Sequence, residues 1–207
     1  MPSVKTKDAQ VAVSIPDDDK TVQVLDDVQR SYQRESIQIQ ALLARIGERI
    51  NLKIWLPRND RQKVIDIWKP QNKNSILEHL PLNYDDVTLS TIENIDVLWI
   101  QGRSIIRAFE VEHTTSIYSG ILRMADLMAL QPNLSIKAHI VAPEERKSKV
   151  FQEITRPVFT LLESGPLAES CTYLSYDSVV ELSKEKKLEY MNARVLEDYE
   201  EYAQDAD

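Results

Sequence analysis

The 207-residue chain contains one cysteine, four glycines and three histidines, and each shortage removes a class of explanation. A single thiol, Cys171, can form neither an internal disulfide nor a Cys-rich zinc site, and a lone thiol is more often a small buried hydrophobe than a nucleophile. The histidines at 79, 113 and 139 are too dispersed to nominate a zinc centre. There is no Gly-rich phosphate loop and no nucleophile elbow. No apolar run approaches the ~20 residues of a membrane span, and MPSVKTKDAQ lacks the apolar stretch of a signal peptide. A cytoplasmic protein with no membrane partner is expected.

What is present is an ordinary globular mixture, 43% hydrophobic and 28% charged, at a length that suits one main domain. The net charge of −8 argues against nucleic acid, because neutralising phosphates takes Lys and Arg. Its distribution weakens that objection. VLEDYEEYAQDAD holds six acids and no base, and residues 1–27 hold six acids against three lysines, which leaves residues 28–194 at +1. The expected organisation is an N-terminal arm over 1–27, a folded domain over 28–190, and an acidic tail over 191–207. Such a tail is usually a solvated end; a basic protein partner is the alternative.

Ile39, Leu42, Leu43, Ile46 and Ile50 recur at helical spacing and predict a helix from about residue 28 to Ile50. LKIWLP reads as a short strand, RNDR as the loop after it, and VIDIW as either a strand or a helical turn. IDVLWI and SIIRAFEVE are strands joined at Gln101 and Gly102, hence an antiparallel hairpin. After the polar run HTTS, Ser116 is placed to cap a helix through about Leu130. IKAHIVAP is a buried strand, EERKSKVFQEI a helix, TYLSY a last strand, and a helix from about Asp177 extends toward Glu201. This order predicts an α/β (α+β) fold with a mixed sheet between helices.

The chemistry concentrates in the hairpin. Side chains alternate across a strand, so Glu110 and Glu112 share one face while Val111 and His113 share the other. Asp96, on the preceding strand, is placed to converge on Glu110. Carboxylates held that close raise one another's pKa unless a cation neutralises them, and hard oxygen ligands suit Mg²⁺ or Mn²⁺. The plainer explanation is that acids on a strand protect its edge from aggregation, but the apolar run VLWI marks the hairpin as central. A basic side chain lodged between Asp96 and Glu110 would remove the ion site and leave only the architecture.

Asp96 and Glu110-Val111-Glu112 resemble the acid and (D/E)XK elements of the PD-(D/E)XK nuclease superfamily, over about residues 31–176. The resemblance implies a restriction endonuclease-like αβββαβ core and a Mg²⁺-dependent (or Mn²⁺-dependent) endonuclease acting on DNA. It further implies Asp96, Glu110 and the Val111 carbonyl as metal ligands. Glu112 stands where the family pattern has lysine, as in some restriction endonucleases. It would act as base for the attacking water or as ligand to a second metal. A glutamate on the first helix of certain relatives matches Glu35 here, with Gln38 nearby. His113 takes a structural or helix-capping role, and HTTS could touch a phosphate. Arg58, Arg61, Lys63, Arg103, Arg107 and Arg123 could line a nucleic-acid groove. Double-strand cutting by one site per chain would favour a homodimer, because one site cuts one strand. The rival reading is a catalytically inactive module of the same fold that binds nucleic acid or a protein partner.

Overall fold

Val97, Leu98, Trp99 and Ile100 are all inaccessible to solvent, so their strand must be covered on both faces. The computed structural model shows how. It describes residues 18–112, 117–130, 136–163 and 165–203, with side chains from residue 31 onward. Strands β1 (Lys53–Trp55), β2 (Val97–Gln101), β3 (Ser104–Val111), β4 (Lys137–Ala142) and β5 (Cys171–Ser175) form a single sheet in that spatial order. The first three pair antiparallel and the last two join in parallel, a five-stranded mixed sheet flanked by helices, as the order of elements predicted.

Helices α1 (Asp18–Arg49), α2 (Arg58–Trp68) and α7 (Tyr176–Ser183) contribute to one core, against Val97, Trp99, Phe109 and Val141. Helices α3 (Asp86–Ile92), α4 (Ile117–Leu130), α5 (Lys147–Ile154) and α6 (Leu167–Ser170) contribute to the other, against Leu98, Ala108, Ala138 and Ile140. The period of two along β2 and β3 thus sorts side chains between two cores. A Cβ at Gly47 would lie 2.5 Å from the Trp99 indole nitrogen, whose N–H donates to the Leu43 carbonyl at 3.1 Å. That missing side chain lets α1 sit directly on the sheet.

Several boundaries differ from expectation. The first helix begins at Asp18, ten residues before the predicted start. RNDR is the opening of α2 rather than a loop, and VIDIW is its continuation. Val64 and Trp68, four residues apart and buried, anchor that helix, and the Trp68 indole donates to Glu48 at 2.9 Å. This packing outweighs the turn-like composition. The last helix stops at Ser183, and 3₁₀ turns over Leu188–Tyr190 and Ala193–Asp198 follow.

The acidic end is part of the fold. Glu201 exchanges backbone hydrogen bonds of 2.8 and 2.9 Å with Tyr173, covering the free edge of β5. Glu200, its side chain only 3% exposed, accepts from Lys137 Nζ at 2.9 Å. Ser116, His113 and the rest of HTTS lie outside the described residues. Among the described residues no helix is long and apolar enough to cross a membrane.

Candidate active site

Register places the acids. Val97 pairs with Phe109, and one further step sets Asp96 opposite Glu110. Asp96, only partly exposed, accepts the Val111 backbone N–H at 2.8 Å, which pins its carboxylate to β3. Glu110 is fully buried on the α4 side of the sheet. Glu112, one alternation further, is 9% exposed and accepts the backbone N–H of Gly120, in the first turn of α4. A Cβ at Gly120 would lie 2.5 Å from Glu112 Oε1 and 3.2 Å from Glu110 Cβ, so the close approach of α4 to both acids requires glycine. Gly120→Ala is accordingly expected to destabilise the fold by about 1 kcal/mol, overpacking of roughly 1–3 kcal/mol outweighing the helix-propensity gain. Urea melts check this; an unchanged midpoint would mean that Glu112 yields freely.

The three carboxylates are held away from their ionised forms. Burial, opposed by the Val111 N–H and the Arg123 charge, pushes Asp96 up to about 6. Burial and the neighbouring Asp96 charge push Glu112 up to about 7. The same two causes push Glu110 upward, opposed by the hydrogen bonds and charge of Arg123. Asp96, Glu112, Asp60, Gln40, Ser119 and Arg123 are among the residues lining a cleft of about 390 Å³.

Arg123, one turn along α4 from Gly120, meets Glu110. Its Nε donates to Glu110 Oε1 at 2.7 Å and its Nη2 donates to Oε2, a two-pronged clasp on both carboxylate oxygens. These bonds hold the guanidinium charged. A basic side chain therefore lies where the sequence required none. Among the described residues, no three acidic, His or Cys side chains gather as a metal-ligand set. Of the expected ligands Asp96, Glu110 and Val111, the central acid Glu110 thus carries Arg123 on both its carboxylate oxygens. The donor chemistry of the cleft still fits a hard cation. Its carboxylates are short of positive charge, and the buried Gln40 Oε1 has no hydrogen-bond partner among the described residues.

The other candidates are dispersed. Glu35 is exposed beside Tyr176 and Glu144 in an adjoining hollow, and Gln38 faces Lys63 and Ile67 of α2. Neither lines the acidic cleft; Gln40 does. The candidate bases sit in different settings. Arg61 stacks 4.6 Å over Trp55 and donates to the Leu56 carbonyl, Lys63 pairs with Asp60 at 2.8 Å, and Arg103 donates to the Pro81 carbonyl at 3.3 Å. Arg107 is buried on the opposite face of the sheet, donating to the Ala193 carbonyl at 3.2 Å, while Arg58 is exposed. Cys171 is buried and its thiol is pushed up to about 12, as suits an inert core residue. His79 is exposed, and buried His139 bonds Thr172 at 2.7 Å and stacks on Phe109.

The family described as the C-terminal domain of the type II restriction enzyme NmeDI matches residues 14–203. The chain belongs to that family. The type II restriction enzyme NmeDI of Neisseria meningitidis serogroup C is 30% identical over 177 residues, covering 83% of this chain and 47% of that protein. The chain thus spans about half the length of that relative. No solved structure matches it.

In this member of the NmeDI C-terminal family, Gln40 and Asp60 are site residues the sequence pattern does not single out, and Arg123 has a role it does not specify. Gln40 could have been picked out by its position four residues after Ser36 and eight after Tyr32, the face of α1 that lines the cleft. Asp60 was hidden in a segment read as loop. Arg123 was noticed only as one of several scattered bases, because nothing local ties it to a residue thirteen positions earlier.

Proposed function

We propose that the chain is a DNA endonuclease domain of the restriction-enzyme kind, hydrolysing phosphodiester bonds with Mg²⁺ or Mn²⁺. One observation carries the reading: three acids face a single guanidinium, and in the cleft Asp96 and Glu112 are pushed up to about 6 and about 7. Family membership supplies DNA as the substrate class. Taken alone, the Arg123 clasp weighs against a hydrolase; membership in a family described from a type II restriction enzyme is what supports retaining it. Asp96 and Glu110, with the Val111 carbonyl, would hold the cation, and Gln40 Oε1 offers a further oxygen. Such a cation supplies an acidified water and stabilises charge on phosphate oxygens. Glu112, poised near neutrality, takes a proton from water. Cutting both strands would favour two copies of the chain.

A second reading is favoured by the Arg123–Glu110 clasp and by the acid in place of lysine: a non-catalytic unit that binds DNA or a protein. Incubation of supercoiled plasmid with Mg²⁺ or Mn²⁺, beside Asp96→Ala and Glu110→Ala, separates them. Nicking lost in both variants, by roughly 10²-fold or more, supports the enzyme. A gel shift that persists in EDTA without nicking in metal supports the binding unit, and cutting that survives both substitutions rejects the assigned acids.

A further inference from the structure

We propose that Arg123 is the internal counter-ion of the acidic cleft: in the cation-free protein it takes the place of a divalent ion on Glu110, so that guanidinium and cation exclude one another. The inference rests on reading the cleft as a cation site. The geometry is specific. Both Glu110 oxygens are engaged, by Nε at 2.7 Å and by Nη2, so an ion on either oxygen must share it with the guanidinium or displace it. The acid is wholly buried, whereas the Arg123 side chain is 31% exposed and lines the cleft beside Asp96 and Glu112. One partner is fixed in the sheet and the other has a way out.

Charge gives the direction of exchange. A buried carboxylate needs a cation, and removing its partner leaves an uncompensated charge. One guanidinium supplies a single positive charge to Asp96, Glu110 and Glu112 together, and α4 adds the Gly120 N–H on Glu112. A divalent ion supplies two charges at one point. It therefore matches the three acids better than Arg123 does, but it must first displace the clasp, which weakens its apparent affinity. α4 docks on β3 through Arg123 and Gly120, and its closeness sets how readily an ion enters.

Mn²⁺ alone is the probe, followed by its electron paramagnetic resonance signal in the absence of DNA. The intact chain is expected to bind Mn²⁺ weakly, Arg123→Met at least tenfold more tightly, and Arg123→Lys, which keeps a charge but gives up the fork, to an intermediate degree. A merely structural arginine would give the opposite, since a loosened α4 would scatter the ligands and lower affinity. Should Arg123→Met fold poorly, Arg123→Lys carries the comparison. Binding by the intact chain that is equal or tighter than in the variants overturns the counter-ion role while sparing the cation site. No binding by the intact chain or either variant, with circular dichroism showing all three folded, removes the cation site and the competition with it.

Discussion

Lowering the pH from 8 to 5.5 in EDTA is expected to raise the melting temperature of this protein. Most proteins with paired surface acids show no such gain, because their native carboxylates are held below the unfolded values. Here the shift is opposite in sign. Glu112 is pushed up to about 7 from 4.5, Asp96 up to about 6 from 3.8, and Glu110 moves the same way. Between the unfolded and folded values the native state binds more protons than the unfolded chain, so stability falls as pH rises through that window. The destabilisation is fully present above about pH 7 and is relieved as pH falls toward 4.5. For Glu112 alone the shift corresponds to about 3 kcal/mol. Glu112→Gln should flatten the profile, since the amide oxygen can still accept the Gly120 N–H. Differential scanning calorimetry across the range decides: a melting temperature constant or falling toward pH 5.5 would mean that the acids are already neutralised by Arg123.

Deleting residues 195–207 is expected to cost several kcal/mol, chiefly from lost apolar burial and edge pairing, because Lys137, left without its acid, has a side chain 34% exposed and partly solvated. The segment supplies Leu196, 1% exposed in the α1 core, and Glu201, whose backbone pairs with Tyr173. It also supplies Glu200, which accepts from Lys137, itself within 3.0 Å of the Tyr202 hydroxyl. Without it the edge of β5 is open and Lys137 loses its buried acid. Glu200→Gln isolates the charge: it should retain the edge pairing yet still lose stability. A truncated chain that melts with the same midpoint in urea would show the tail to be an appendage. A pull-down experiment on this segment must therefore use folded, point-substituted chains, because truncation disturbs β5 itself.

The amino-acid sequence by itself determined the sheet and its central hairpin. VLWI and IIRAF are too apolar for any position but the middle, Gly102 adopts φ 62° at the turn between them, and a period of two puts Glu110 and Glu112 on one face. These features are local, and local patterns are what side-chain spacing encodes. Asp96 opposite Glu110 does not follow from the turn alone, which pairs Gln101 with Ser104; a register shift between Trp99 and Ile100 moves Asp96 on by one residue to face Glu110. Tertiary structure alone decided what meets the acids. Arg123 reaches Glu110 because α4 returns over β3 at a distance set by Gly120, and Gln40 reaches the cleft through the angle at which α1 crosses the sheet. RNDR became helix because Val64 and Trp68 found a core, and an acidic end became an edge cover because β5 lacked a neighbour. In each case the deciding energy is burial or charge pairing between segments distant in sequence, which no local spacing records.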